Sequence, residues 1–309
     1  MENWEKLSKL SREEVVKLQN RKLSYFLRNE VPKHPYYKNL FLKNKIKLND
    51  IKTVKDLKKI PFTTKEDIAP TKNNPGLPLR FVLQDRNEKY KPVHVHFTAG
   101  RTAAPTPFYY TNYDIENMKE AGKRMMSLIK ASKNEIAVNA FPYAPHLAFW
   151  QTYFALNACK IMSLHSGGGK ILGSEKIIRA IAGMKATTLL AMPGYAYHIL
   201  RIAKDEKIDL GSLNNIILGG ERINEGLRNK IKTLLKNKVK IYGTYGFTEG
   251  KTVWTQCDEK SGYHLYPDLE YMEVVDDKGE SVGEGEKGEI VYSALDWKGS
   301  VVLRYKTGD

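Results

Sequence analysis

Apolar positions near the start of the chain fall at helical spacing. Val15, Leu18, Leu23, Phe26 and Leu27 form one stripe between Arg12 and Asn29, and Pro32 follows as a stop, so an amphipathic helix is predicted there. Between Val31 and Leu79 the pattern breaks into short mixed segments, among them PFTTKEDI (Pro61 to Ile68) and the irregular TKNNPGLPLR. From about Val93 short β-type runs (VHVHF, IAVNAF, IMSLH, TTLLAM, NNIIL and KVKIY) alternate with helix-length amphipathic stretches around Met118 to Ile129, Ala148 to Leu156, Lys176 to Ala182, Tyr195 to Ala203 and Gly226 to Leu235. Such alternation predicts an α/β fold with a parallel sheet covered by helices on both faces. After Gly250 the helical pattern ceases, and HLYPDLEYMEVVDD, GEIVYSAL and SVVLRY read as strands of a smaller, mainly antiparallel unit with Gly-rich turns. The expected organisation is a helical arm over 1–92, an α/β core over 93–250 and a β-rich subdomain over 251–309.

Composition narrows the class. The chain has 309 residues, 41% of them apolar, enough for a substantial core. Cys159 and Cys257 are its two cysteines, and the opening MENWEKLSKL has no apolar run, so neither disulfides nor a membrane segment are expected and a cytoplasmic location is. The net charge of +15 comes mostly from Lys scattered among Asn and Ile rather than from an Arg-rich stripe, which predicts a solvated basic surface and no nucleic-acid partner.

Three segments carry candidate chemistry. HFTAGRTAAPTPF (His96 to Phe108) follows a predicted strand and sets Thr98, Gly100, Arg101, Thr102 and Thr106 among small residues. Hydroxyls, accessible backbone N–H groups and a guanidinium suit phosphate oxygens, while an ordinary strand-to-helix turn remains the alternative. LGGERI (Leu218 to Ile223) ends another strand, where two glycines would let backbone approach a planar ligand or simply make a tight turn. IYGTYGFTEG (Ile241 to Gly250) combines rings able to stack on a base, a hydroxyl at Thr248 and a carboxylate at Glu249 able to hold Mg²⁺; a buried hairpin with core tyrosines is the competing reading.

These three stretches and the terminal RYKTGD (Arg304 to Asp309) stand in the order and approximate spacing of the adenylate-forming superfamily. Within it, PFTTKEDI, SGGG (Ser166 to Gly169) and CDEKSGYHLYPD are similar to the phenylacetate-CoA ligase and coenzyme F390 synthetase group. The resemblance implies an acid–thiol ligase. ATP would be attacked at its α-phosphorus by an aryl or arylacetic carboxylate, and the acyl group would pass to coenzyme A. It implies that Thr98, Gly100, Arg101, Thr102 and Thr106 embrace the β- and γ-phosphates. Gly220, Glu221, Arg222, Tyr242, Gly243, Tyr245 and Gly246 would surround the nucleotide, Thr248 would contact the α-phosphate, Glu249 would bind Mg²⁺ and Asp309 would hold the ribose. Phe141, Tyr143, His146 and Phe149 would wall the acid pocket, with a packed helix-start histidine as the other reading of His146. Homodimerisation is left open.

The sequence also departs from that pattern. Ala99 and Ala103 replace a hydroxyl and a glycine common in the phosphate loop, and Arg101 stands where a hydroxyl is usual. Relatives continue past the ribose-binding Asp into a lid that bears a lysine; its absence here predicts nucleotide binding with poor adenylation. Cys257 and His264 match a Cys-x6-His pair that part of the group uses for zinc, but zinc prefers four ligands, so two unconnected residues near a turn is the favoured reading. Two alternatives accompany the ligase: AMP transfer to a phenolic cofactor, as in F390 synthetase, and a nucleotide-binding protein with little turnover.

Overall fold

A computed structural model describes residues 4–85, 87–99, 104–236 and 238–309. Its helices are α1 (Trp4–Leu7), α2 (Arg12–Asn29), α3 (Pro35–Lys43), α4 (Lys65–Ile68), α5 (Asn112–Leu128), α6 (Leu147–Ala158), α7 (Ser174–Gly183), α8 (Pro193–Asp205) and α9 (Glu225–Leu234). The strands are β1 (Pro92–Phe97), β2 (Pro107–Thr111), β3 (Ile136–Asn139), β4 (Met162–His165), β5 (Thr188–Ala191), β6 (Asn215–Leu218), β7 (Lys240–Gly246), β8 (Val253–Thr255), β9 (Glu270–Val275), β10 (Glu289–Ala294) and β11 (Tyr305–Lys306). The chain divides into two compact units, Met118–His264 and the remainder up to Asn117 together with Leu265–Asp309.

In the unit Met118–His264 the strands form one sheet in the order β4-β3-β5-β6-β7-β8, parallel except for β8. Both faces are covered, as the unbroken apolar runs require. Val138, Leu189, Ile216 and Ile241 point to a core with Ile178, Ile199 and Ile231 of α7, α8 and α9. Their neighbours Ala137, Leu190, Ile217 and Tyr242 point the other way, to Met125 of α5 and to Phe149 and Leu156 of α6. Period-two alternation therefore sorts β3, β5, β6 and β7 between two cores, each buried aliphatic side chain contributing about 1.5–3 kcal/mol. At the amino end of the sheet the Glu135 carboxylate accepts hydrogen bonds from Thr187, from Thr188 (2.7 Å) and from Asn215 (3.3 Å), tying β3, β5 and β6 in register.

The other unit is built on long-range returns that a local pattern does not reveal. Residues up to Asn117 and Leu265–Asp309 together make this unit, so the chain returns to it after the sheet. Val301 N donates to Phe81 O and Thr63 N to Arg304 O, both at 2.9 Å. Of SVVLRY, only Tyr305–Lys306 pairs as a strand; the buried backbone of Val301 and Leu303 is satisfied instead by His34, Tyr37 and Thr63 side chains. β9, β10 and β11 form a small antiparallel sheet, and β1 pairs with β2 in a separate antiparallel hairpin rather than joining the parallel sheet.

Local chemistry sets the helix ends. Ser11 and Glu14 form a reciprocal capping box that starts α2. At the other ends the chain uses lysine where glycine is usual. Lys45, Lys130, Lys160, Lys185, Lys207 and Lys236, each two residues past a helix, lie at φ between 51° and 57°. The first five close the six-to-one pattern of a Schellman turn, as in Ile208 N to Ala203 O at 2.8 Å. The left-handed conformation costs about 1–2 kcal/mol, and an ammonium group at the negative end of the helix dipole offsets about 0.3–1 kcal/mol of it. Part of the basic charge is therefore dispersed one lysine per helix end.

Candidate functional site

The carboxyl ends of the parallel strands bring five of the sequence segments to one edge of the sheet. The loops after β3, β4, β5, β6 and β7 carry Phe141–His146, Ser166–Gly169, Met192–Gly194, Gly219–Arg222 and Phe247–Glu249. The order β4-β3-β5 reverses direction at β3, which opens a crevice between the ends of β3 and β5, where doubly wound sheets take their ligands.

The two glycines after β6 are required for different reasons. A methyl on Gly219 would lie 2.2 Å from Thr244 Oγ1, whose hydroxyl donates to Leu218 O at 2.9 Å. Gly220 has room around it but sits at φ +83°, a conformation that costs side-chain-bearing residues about 1–2 kcal/mol. The turn they make exposes Glu221 and Arg222, and Glu221 Oε2 accepts from Gly194 N at 3.1 Å, joining the β5 and β6 loops.

Along β7 residues 241–244 are all buried, and exposure returns only toward Tyr245 and Gly246. Tyr242 is fully buried and its hydroxyl donates to Asp258 at 2.7 Å; burial, then that carboxylate, pushes its pKa well above the phenolic value. Gly243 is also internal, its N–H donating to Gln256 Oε1, which accepts from Arg228 as well. These two positions were expected beside the nucleotide; the Tyr242 ring lies in the core and the Gly243 backbone is buried. Tyr245 differs: its half-buried ring stacks on Trp254 at 5.7 Å and 27°, flanked by Phe247 and by the exposed Tyr263. Gly246 is exposed at the hairpin, and a single 3-10 turn, Thr248–Gly250, then sets half-buried Thr248 and Glu249 side by side.

The predicted acid wall is only partly on the surface. Phe141 and Phe149 are each 4% exposed and belong to the α5–α6 core, whereas Tyr143 is 60% exposed and packs edge-on against Phe149 at 5.1 Å. Both phenylalanines are therefore core residues, and of the two aromatic types Tyr143 stays at the surface. His146 is half-buried at the N-cap of α6. Sequence reasoning passed over His165, at the end of β4: its ring lies 4.9 Å from Tyr153, its Nδ1 is 3.2 Å from Asn139 Nδ2, and burial lowers its pKa, which favours the neutral imidazole. It also passed over Trp254, because the β7–β8 pairing that sets it opposite Tyr245 follows an unusual three-residue turn.

Of the remaining predicted residues, Thr98, Thr106 and Asp309 lie in the other unit, Cys257 and His264 lie in the same unit as the sheet, and Gly100, Arg101 and Thr102 fall outside the described residues. Thr98 and Thr106 close the neck of their loop, Thr98 N donating to Thr106 O and Thr106 N to Thr98 Oγ1, each at 3.0 Å. Asp309 is exposed, and its carbonyl accepts from Ile290 N on β10. Cys257 and His264 are half-buried, with His264 N donating to Thr255 O; among the described residues no group of three or more His, Cys, Asp or Glu side chains could hold a metal.

A doubly wound sheet whose strand ends gather a glycine turn, a stacked tyrosine and a Thr-Glu pair defines a nucleotide-site architecture. Residues 20–295 match the AMP-binding enzyme family, and the chain belongs to that family. A phenylacetate-coenzyme A ligase of Thermus thermophilus is 26% identical over 309 residues, 98% of this chain and 66% of that protein. The like-named protein of Aromatoleum evansii is also 26% identical, over 99% of this chain and 68% of its own length. The chain thus spans about two thirds of the length of these relatives. Among solved structures, 2-hydroxyisobutyryl-CoA ligase in complex with 2-HIB-AMP and CoA has the same fold, with a TM-score of 0.86 at 20% identity over 97% of this chain and 64% of that one.

Proposed function

We propose that the chain contributes the ATP and acid sites of an AMP-forming acid–thiol ligase, with aryl or arylacetic acids as substrates and coenzyme A as acceptor. The observation that carries this reading is the gathering of Tyr143, Glu221, Tyr245, Thr248 and Glu249 at one end of a parallel sheet. Relatives named phenylacetate-coenzyme A ligase support the substrate class.

In the first half-reaction a carboxylate oxygen bonds to the α-phosphorus and the bond to the β-phosphate oxygen breaks, releasing pyrophosphate. In the second, a thiolate bonds to the acyl carbon and AMP leaves. No protein nucleophile is needed, so the residues bind, orient and stabilise charge. Tyr245, held by Trp254, offers a ring to adenine, and Gly220, Glu221 and Arg222 line its edge. Thr248 donates to the α-phosphoryl oxygen on which negative charge grows. For Thr98, Gly100, Arg101, Thr102 and Thr106 the family resemblance implies contacts to the β- and γ-phosphates, and for Asp309 acceptance from the ribose hydroxyls. Mg²⁺, when bound, neutralises phosphate charge; a single half-buried carboxylate, Glu249, fits that ion, which takes most of its other oxygens from phosphate and water.

The test is calorimetric titration with Mg·ATP. Glu249→Gln should weaken binding about tenfold or more while the thermal transition is unchanged; equal affinity would remove Glu249 from the site. Incubation with ATP, phenylacetate and coenzyme A then reads the acceptor: a nucleotidylated product without a thioester would overturn the ligase reading in favour of AMP transfer.

A further inference from the structure

We propose that Gly167–Gly173 is a specificity flap, whose exposed Ile171 and Leu172 fold toward Tyr143 over the apolar part of a bound acid and select aryl or long acyl groups against small polar ones. This rests on the ligase reading and adds to it the residues that would choose the acid.

The segment has a fixed neck and a protruding tip. Ser166 N and Gly167 N both donate to Asn139 O, at 3.1 and 3.2 Å, fastening the neck to the end of β3. A methyl on Gly167 would come within 3.3 Å of Tyr143 Cβ, and one on Gly168 within 3.2 Å of Pro142, so the neck lies flat on the β3 loop. A methyl on Gly169 would meet Tyr195 Oη at 2.4 Å, so the same strip also touches the first turn of α8, the far side of the β3–β5 crevice. Beyond it the chain turns back on itself, Gly173 N donating to Gly169 O at 3.0 Å, and both of these glycines have positive φ, +84° and +86°.

The tip carries apolar side chains with little cover. Ile171 is 80% exposed and Leu172 36%, beside a Tyr143 that is 60% exposed. A single exposed aliphatic residue is ordinary, but here two sit together on a loop whose neck lines the crevice. Ile171 stands in the middle of the turn closed by Gly173 N and Gly169 O, so its side chain is carried at the tip, beyond the neck that meets Tyr143. Nothing lies within 4 Å of a methyl placed on Gly173, so the base of the tip has room to pivot. Closing it would take apolar surface of both the tip and Tyr143 out of water only when the ligand itself is apolar, which is how the segment would discriminate.

The experiment compares two acyl-sulfamoyl adenosine probes, phenylacetyl and acetyl, on the unmodified chain and on Ile171→Ser/Leu172→Ser. The phenylacetyl probe should bind the double variant roughly tenfold more weakly, the order expected when one aliphatic side chain no longer leaves water, and the acetyl probe within twofold of the unmodified chain. A thermal transition unchanged by the substitutions separates this from unfolding, and Mg·ATP affinity should not move. If the phenylacetyl probe binds both forms alike, or both probes weaken equally, the flap is overturned while the adenylation reading stands. If neither probe binds the unmodified chain, the adenylation reading falls and the flap with it. Loss of self-association at unchanged probe affinity would make the tip a contact between copies and also overturn the flap.

Discussion

The Gly219–Thr244 contact allows a prediction that separates packing from conformation. Gly219→Ala adds a methyl 2.2 Å from Thr244 Oγ1, which cannot be accommodated without moving either the threonine or the β6 end. Overpacking of this kind costs about 1–3 kcal/mol. Rotating Thr244 away would add the loss of its hydrogen bond to Leu218 O, about 0.5–1.5 kcal/mol. The next nearest atoms to the added methyl are Thr244 O and Cβ, at 3.5 and 3.6 Å, which is ordinary contact. Removing Oγ1 should therefore remove nearly all of the steric conflict. In urea unfolding, Thr244→Ala alone should lose about 1 kcal/mol, and Gly219→Ala in that background should cost only a few tenths more. The cycle should thus show a coupling of about 1–3 kcal/mol. Strict additivity, with Gly219→Ala costing the same in both backgrounds, would refute the steric account and leave backbone conformation as the reason for the glycine. Gly220→Ala serves as the contrast: its cost of about 1–2 kcal/mol comes from φ +83°, so it should be unaffected by Thr244→Ala.

Stability should also fall with acidity through His34, which is fully buried and has its pKa lowered to about 4 from 6.5, chiefly by desolvation. Nδ1 accepts from Tyr37 N while Nε2 faces Val301 O, so the neutral ring is the form the fold holds. The unfolded chain binds the proton more readily, so the full contribution is present above about pH 6.5 and is lost as pH falls to 4, a change of about 3 kcal/mol. Urea midpoints between pH 7.5 and 4.5 should fall, and His34→Gln should flatten that part of the slope whatever its effect on absolute stability. Leu190→Ala in the central strand should cost about 2–5 kcal/mol by denaturant unfolding, since Leu190 is fully buried in the core with Phe149 and Leu156; a loss below 1 kcal/mol would contradict the two-core arrangement.

Much of the α/β core was legible because its signals are local. Each β-type run from IAVNAF to KVKIY became a strand of the parallel sheet, and each helix-length stretch between them became a helix, since run length together with side-chain period separates these states. The glycine turn at LGGERI and the Thr-Glu turn after β7 were also readable, because they occupy strand ends that any parallel sheet would gather together. A small part of the basic charge needed the structure to explain it: six lysines that looked scattered in sequence stand in left-handed positions at helix ends, where backbone geometry and the helix dipole act together.

What tertiary structure alone decided were the partners of those local elements. Tyr242 and Tyr245, three residues apart on β7, face opposite sides as strand period requires; what the tertiary structure decided is that the hydroxyl of one meets Asp258 in the core and the ring of the other stacks on Trp254. Phe141 and Phe149 entered the core while Tyr143 stayed exposed, a choice made by how α6 covers the sheet. Likewise Val301 and Leu303, strand-like by pattern, found hydrogen-bond partners more than two hundred residues earlier in the chain. Periodicity reports which side of an element is apolar; contacts between elements distant in sequence decide what covers that side and which residues remain at the surface to meet a ligand.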